Sequence, residues 1–524
     1  MKANSIRIDN ISDIETAFAL HQGGNYDQAR AAYLKLIDQN PYDYNALQLL
    51  GVLELNDGDF QFVADLISKA LTIVDSDPSA YNNLGEAYRG LDRFTDAERS
   101  FRMALQLDSS YAIAHNNLAV VLKHLNRPHE AEEACRNALY YSPYYAEAFN
   151  NLGIILVHLN RLDEAETAYR QALAIKSDYV EPYINIGILF KNIGRYKESE
   201  QAYKKALHLN PKSDDAVYNL SILELLKGEL RKGFEHYEKR AEKRHNQFKT
   251  PIDCRPWQGE QLNGKSLLII TEQGAGDSLM MMRYIRMLKF IKHPDMICVH
   301  CDMSLIRIFS LMPEVDMVFP QIEDSTFSFF DCYCYMMSLP YLFKTTLKTI
   351  PQEVPYIFVP NEMKTKWNTL TSTLSGVKVG VAWAGNSALE ADARRSIPLA
   401  MFEPLFKVSG VHYFSLQKGE ASEQLKQLGW DVVDVMGECE DYLDTASLIS
   451  NLDLVISVDT SVVHLAGAIG KQVWLLNRYE SEWRWMLERS DSPWYPTVRI
   501  FRQIKLYDWT QTLNMVTGEL YRYC

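Results

Sequence analysis

The chain is poor in several things that would settle a function class at once. It has 8 cysteines in 524 residues, too few for a disulfide scaffold. Cys298-Val299-His300-Cys301 has the look of half a zinc site. It sits in an apolar run that reads as a strand, where positions i and i+3 point to opposite faces, and Cys332 and Cys334 do not supply a second pair at zinc spacing. These cysteines read as core. There is no basic surplus: 54 Lys and Arg stand against 67 Asp and Glu, a net charge of −13, which speaks against nucleic acid and anionic membrane as partners. No apolar run long enough for a membrane span occurs, and Met1-Lys2-Ala3-Asn4-Ser5 opens no signal-peptide pattern. A cytoplasmic protein is the simplest expectation. Polar metal ligands are not clustered; Asp75-Ser76-Asp77 falls in a turn between repeats. Neither a metal nor a cofactor is expected.

What the chain has instead is a period. Leu50, Leu84, Leu118, Leu152, Ile186 and Leu220 are spaced by 34 residues, as are Gly51, Gly85, Ala119, Gly153, Gly187 and Ser221. Ala97, Ala131, Ala165 and Ser199 follow, then Ala104, Ala138, Ala172 and Ala206. A helix–turn–helix unit of this length, with small residues where helices touch, is the tetratricopeptide pattern, a builder of docking surfaces. One full unit predicts helices at 146–159 and 162–175, with Asn160-Arg161 as the turn. The first unit, 13–40, is degenerate, and the last places Arg240 where alanine stood, as terminal caps do. Residues 1–245 are expected to form this solenoid.

Asn83, Asn117, Asn151, Asn185 and Asn219 keep the same register. Asparagine is an indifferent helix former, so five at one phase need a reason. Their amides either bond neighbouring helices or form a ladder that holds an extended peptide backbone. This half resembles the repeat half of the protein O-linked N-acetylglucosamine transferases. That resemblance implies acceptor binding by the ladder.

Periodicity fades after Arg240, and 246–264 reads as a connector with little regular structure. From Ser266 short apolar strands alternate with helices, the mark of parallel α/β lobes. The first lobe, 265–375, opens with a strand at 266–270, then Gly274-Ala275-Gly276-Asp277, then a helix over 278–290. The third glycine of a dinucleotide fingerprint is missing; Leu279 stands there. Further strands are expected at 296–300, 316–319 and 329–333. The second lobe, 376–505, has strands at 377–383, 412–416, 431–435 and 453–457, with a last one at 472–476. The fold class is α plus α/β: a tetratricopeptide α-solenoid followed by a GT-B domain of two Rossmann-like lobes. A final helix, 506–524, is expected to cross back to the first lobe.

Specific motifs sharpen the reading. Gly274-Ala275-Gly276-Asp277, with Ser457-Val458-Asp459-Thr460-Ser461 and His464-Leu465-Ala466, resembles glycosyltransferase family 9, the heptosyltransferase-like group. That family usually has glycine where this chain has Ser461, which keeps a hydroxyl and a backbone N–H. Trp483-Arg484-Trp485, Ser492-Pro493-Trp494-Tyr495-Pro496 and Arg499–Gln503 resemble a bacterial subgroup with tetratricopeptide repeats fused in front, which includes flagellin glycosyltransferases.

The resemblance implies a metal-independent, inverting protein O-glycosyltransferase. It moves a sugar from a nucleotide sugar to a Ser or Thr hydroxyl of an acceptor protein, with flagellin the acceptor in view. Asp277 is implied as general base; helix capping is its plainer role. Thr460 and Ser461 are implied to bind donor phosphate and Asp459 sugar hydroxyls, against an ordinary N-cap. His464 is either a phosphate donor or a core residue. Gly274 and Gly276 let the donor approach the backbone. Lys418, after Gln417 at a strand end where ligands gather, either neutralises the leaving diphosphate or is a solvated loop lysine, and Arg394 and Arg395 offer the same charge and the same alternative. Trp383 and Asn386 are placed to stack on or bond the donor, and Asp444 and Thr445 to read base or ribose or to cap a helix. The Trp-rich stretch 483–494 reads as packing. Two alternatives stand beside this: a lipopolysaccharide-type transferase at the membrane, and a tetratricopeptide adaptor with an inactive transferase half.

Overall fold

A computed structural model describes residues 13–240, 254–320, 330–387 and 392–524. The repeat half is built of paired antiparallel helices from Ile14–Gln22 to Leu230–Tyr237. The unit chosen from sequence has helices Ala146–His158 and Leu162–Ile175. The turn inside each pair is a second 34-residue signal. Gly24, Gly58, Asp92, Asn126, Asn160, Gly194 and Gly228 all have positive φ, from 57° to 84°. Glycine, asparagine and aspartate are the residues that adopt this left-handed turn most cheaply. The next residue, Arg127 or Arg161, reaches back to Glu98 or Glu132 of the preceding unit and forward to Glu130 or Glu164.

The repeated glycines are spaces for aromatic rings. A Cβ on Gly85 would lie 2.5 Å from the ring of Phe101, and one on Gly153 would collide with Tyr169. Phe101 is fully buried and has nowhere to go. A Gly85→Ala chain is therefore expected to lose about 1–3 kcal/mol through overpacking, despite alanine's better helix propensity. A urea titration of the two chains reads it, and an unchanged midpoint would refute the close fit.

The molecule divides into two compact units, Met1–Leu189 with Lys204–Pro211, and Phe190–Tyr203 with Lys212–Cys524. The last helical pair, Asp214–Leu226 and Leu230–Tyr237, thus belongs to the α/β unit rather than to the solenoid of 1–245 expected from sequence. Leu226, Leu230, Phe234 and Tyr237 share one apolar core with Trp483 and Trp494.

Two parallel sheets follow. The first contains β1 (Arg255–Pro256), β2 (Ser266–Ile270), β3 (Met296–Cys301), β4 (Met317–Pro320) and β5 (Cys332–Tyr335), in the order β1-β5-β2-β3-β4. The second contains β6 (Val377–Ala382), β7 (Val411–Ser415), β8 (Val432–Val433), β9 (Leu454–Val458), β10 (Gln472–Asn477) and β11 (Val498–Arg502), in the order β11-β10-β9-β6-β7-β8. Every strand pair is parallel, and β2 and β9 are buried throughout, as sheets covered on both faces require.

Five expectations change. The connector is not structureless where it is described: β1 adds an edge strand, because Trp257 and Leu262 are buried and the Trp257 N–H reaches the Tyr333 carbonyl at 2.7 Å. The helix after the Gly-rich turn starts early, at Ala275, and is broken into Ala275–Met281, Arg283–Met287 and a π turn over Leu288–Lys292. The strand at 472–476 is not the last; β11 follows it. The terminal helix Thr510–Tyr523 does not return to the first lobe. Its Leu513, Val516 and Leu520 are buried against Val379, Ile456 and Phe501 of the second. The strand expected at 329–333 begins at Cys332; Phe329 lies outside the described residues. Cys298 and Cys301 are both buried, in different apolar clusters on the two faces of β3. Among the described residues no helix is long and apolar enough to cross a membrane.

Candidate functional site

In open parallel sheets ligands settle at the carboxyl ends of strands, where the strand order reverses. The first sheet reverses between β2 and β5, the second between β9 and β6. The turns leaving β2, β6 and β9 all open into one cavity of about 1100 Å³ within the α/β unit. The turn after β2 contributes Gly274 to Asp277, the turn after β9 Asp459 to Ser461, and the turn after β6 Ala384 to Asn386. Each of the two helices that leave these glycine- and hydroxyl-bearing turns, Ala275–Met281 and Ser461–Ala468, starts without a side-chain cap. Their first N–H groups are therefore not taken up by a capping side chain.

The two helices touch at their first turns. A Cβ on Gly276 would be 2.9 Å from His464 Cδ2 and 3.3 Å from Ser461 Cα, so only glycine permits this approach. Asp277, in the first turn, accepts hydrogen bonds on Oδ1 from Arg484 Nε, at 2.9 Å, and from Arg484 Nη2. Arg484 also reaches Glu482 at 3.3 Å and lies over the Trp483 ring at 4.5 Å. Burial disfavours the Arg484 cation, but Asp277 and Glu482 outweigh it and raise its pKa above the ordinary value. Burial raises Glu482 too, yet Arg478 and Arg484 hold it below the usual carboxyl range.

Asp459 lines the cavity, and its pKa is raised, first by burial and then by neighbouring Glu482. Its backbone carbonyl accepts from Arg395 Nη1 at 3.2 Å, while Arg395 Nε bonds Asp392. Thr460 lies 3.2 Å, hydroxyl to hydroxyl, from Ser457, and Ser461 accepts from the Tyr442 hydroxyl at 3.0 Å. His464 is buried, stacked on Trp485 with ring centres 5.3 Å apart, and paired through Nδ1 with the Tyr495 hydroxyl at 3.0 Å. Burial, with Arg484 and Arg283 nearby, pushes its pKa well down. The folded chain therefore binds no proton there when the unfolded chain does. Stability is full above the unfolded pKa of about 6.5 and falls as pH drops through it, by up to about 1.4 kcal/mol per pH unit. Urea midpoints of the parent and His464→Gln between about pH 7 and pH 5.5 should converge at the lower pH; parallel lines would refute it.

The other expected site residues divide between the cavity wall and positions away from it. Trp383 is fully buried in the second lobe's core, its indole N–H on the Ala421 carbonyl at 3.3 Å, and so does not offer its face to a ligand. Gln417 reaches the cavity, but its Oε1 accepts from the Trp383 and Ala384 N–H groups at 3.0 and 2.9 Å, and its Nε2 donates to Lys418 O; the amide ties two strand ends together. Asp444 faces the first lobe: Arg307 pairs with it at 3.3 Å, and the Glu440 N–H bonds it. Asp441, not Asp444, caps that helix. Thr445 lines the cavity, with its hydroxyl on Asp441 O at 3.0 Å. Lys418 lines it with Nζ on the Cys439 carbonyl at 2.5 Å, and Asn386 also lines it. Arg394 pairs with Glu480.

The asparagine ladder is partly spent within the repeats. Asn117, Asn151 and Asn185 donate to Asn82, Asn116 and Asn150 of the preceding unit at 2.8 to 3.1 Å. Their Oδ1 atoms take no hydrogen bond among the described residues. Asn219 donates to its own Asp215 carbonyl and lines the α/β cavity.

Sequence reasoning missed Lys191, Tyr218, Tyr237, Arg478 and Glu482 on the cavity wall. Lys191 and the tyrosines lie in repeat helices and look like repeat residues. Arg484 was visible in Trp483-Arg484-Trp485, where two tryptophans suggest packing alone. Both tryptophans are indeed buried. Among the described residues no group of His, Cys, Asp or Glu is arranged to hold a metal ion.

Tetratricopeptide repeat models match residues 19–81, 79–107, 110–178 and 180–213. The chain is similar to Protein FlbA of Caulobacter vibrioides, with 26% identity over 331 residues that cover 56% of this chain and 52% of that protein. The match thus spans about half the length of that relative. Among solved structures, MamA is 23% identical over 32% of this chain and 96% of its own, with a TM-score of 0.29. YrrB, a TPR protein with an unusual peptide-binding site, is 21% identical over 36% and 96%, with a TM-score of 0.29. Pseudomonas aeruginosa pilF is 18% identical over 39% and 92%, with a TM-score of 0.34.

Proposed function

We propose that the α/β unit is a GT-B-type glycosyltransferase. It transfers a sugar from a nucleotide sugar to a hydroxyl of a polypeptide that the repeats hold. One observation carries the reading: Asp277 of the first lobe and Asp459-Thr460-Ser461 of the second line a single cavity at the switch points of two parallel sheets. The donor phosphate lies at the start of the helix Ser461–Ala468, whose N–H groups and dipole favour an anion, with Ser461 and Arg395 beside it. Asp459 takes sugar hydroxyls. The acceptor oxygen attacks the anomeric carbon, the bond to the donor phosphate breaks with its electron pair going to phosphate, and Asp277 takes the hydroxyl proton. The unbonded Oδ1 atoms of Asn117, Asn151 and Asn185 are suited to peptide N–H groups at one-repeat spacing. Flagellin is the acceptor we favour, from the family resemblance. The reaction needs no metal or cofactor in this scheme.

Thermal melts against UDP, GDP, ADP, TDP and CMP test the donor site. One nucleotide is expected to raise the midpoint, by about 2.7 kcal/mol of stability at 100 times its Kd. The matching nucleotide sugars then report turnover as free nucleotide released in the presence of acceptor protein. A panel in which no nucleotide shifts the melt would sink the donor assignment.

A further inference from the structure

The odd residue of the last repeat, Arg240, and its neighbour Tyr237 reach the same short segment. Glu272 and Gln273 are the two residues before Gly274. The buried Arg240 guanidinium donates to Glu272 Oε1 from Nε at 3.2 Å and Nη2 at 2.6 Å. The Met337 N–H meets that same oxygen at 3.2 Å. Gln273 is not glycine yet has φ of 67°, a left-handed conformation held by its surroundings, and its Nε2 donates to the Tyr237 hydroxyl at 2.5 Å. Phe234 and Tyr237 also pack on Trp483, with ring centres 5.5 and 6.4 Å away, and the Arg484 guanidinium lies over the Trp483 ring at 4.5 Å. One repeat helix, Leu230–Tyr237, therefore abuts both the turn that carries Asp277 and the platform under the arginine that grips it.

We propose that Tyr237, Arg240 and Arg484 are positioning residues for Asp277: the first two fix the turn that bears it, and the third holds its Oδ1 from the second lobe so that Oδ2 faces the acceptor. The inference rests on the reading of Asp277 as base. Asp277 Oδ2 takes no hydrogen bond among the described residues, and Asp277 lines the cavity. Arg484 cannot drift, because Trp483 and Trp485 on either side of it are buried. The consequence is that the last helical pair, although it continues the repeat sequence, works inside the α/β unit, where it sets the geometry of the proton-accepting carboxylate.

The test uses the full chain with the nucleotide sugar that the parent turns over in the panel. Tyr237→Phe removes only the hydroxyl that accepts from Gln273, and Arg484→Ala removes the grip. Tyr237→Phe is expected to lower kcat about tenfold and Arg484→Ala about 100-fold, each with donor KM within about twofold of the parent. Added guanidinium ion should restore part of the Arg484→Ala rate and none of the Asp277→Asn rate. Parental kcat in both variants, a loss carried by KM alone, or no guanidinium rescue in a natively folded Arg484→Ala chain would overturn the proposal. Amide hydrogen exchange gives a reading without any donor: residues 274–281 should exchange faster in both variants, with 44–57 unchanged, and unaltered exchange overturns it equally. Asp277→Asn separates the two levels. If that chain is inactive while Tyr237→Phe and Arg484→Ala are parental, positioning fails and the base reading stands. If Asp277→Asn is itself parental, the base reading fails.

Discussion

Asp277→Asn is expected to slow sugar transfer by about 100- to 10,000-fold, the range over which a positioned base contributes. The change is conservative in shape. An asparagine Oδ1 still accepts from Arg484, so the contact between lobes is weakened rather than abolished. On the proposed reading, what disappears is the ability to take a proton from the acceptor alcohol. Nucleotide binding should survive, since the proposed phosphate site at the start of Ser461–Ala468 is built from groups other than the Asp277 carboxylate. The decisive comparison is nucleotide release by parent and variant, in the presence of acceptor, after thermal melts show both are folded. Equal rates would remove Asp277 from the mechanism.

Gly276→Val is expected to be nearly as damaging by a different route. Its Cβ would sit 2.9 Å from His464 Cδ2 and 3.3 Å from Ser461 Cα. Neither neighbour can yield easily. Ser461 Cα is backbone, and His464 is buried, stacked on Trp485 and bonded to Tyr495. The two helix starts must therefore separate. Overpacking of this kind costs about 1–3 kcal/mol, and a displacement of about 1 Å between reacting groups costs about 100-fold in rate. A urea titration together with the transfer assay reads both effects. A Gly276→Val chain with parental turnover would show that close contact between the helices is not needed.

The parts of this protein that were legible in the sequence are those with a local physical signature. A 34-residue period places helices because each unit repeats the same burial pattern, and it located Ala146–His158 and Leu162–Ile175 closely. Short apolar runs bounded by Gly and Asp marked β2, β6 and β9, and the turns after them are where the structure opens its cavity. Orientation was harder to read. Trp383 follows a strand at the right place, but its side chain enters the core, and a single residue of strand phase decides between the two faces. Asp444 sits one helical step from Asp441; one caps the helix while the other pairs with Arg307 of the other lobe.

By itself, then, the amino-acid order determined the repeat array, the parallel α/β lobes and the two turns that carry Asp277 and Asp459-Thr460-Ser461, because periodicity and strand–turn–helix patterns are properties of neighbouring residues. Only the tertiary structure decided that Asp277 meets Arg484, 207 positions further along, that Tyr237 and Arg240 hold the turn before it, and that the terminal helix stays on the second lobe. Those contacts depend on which buried faces pack together, and no local pattern encodes the identity of a partner that distant.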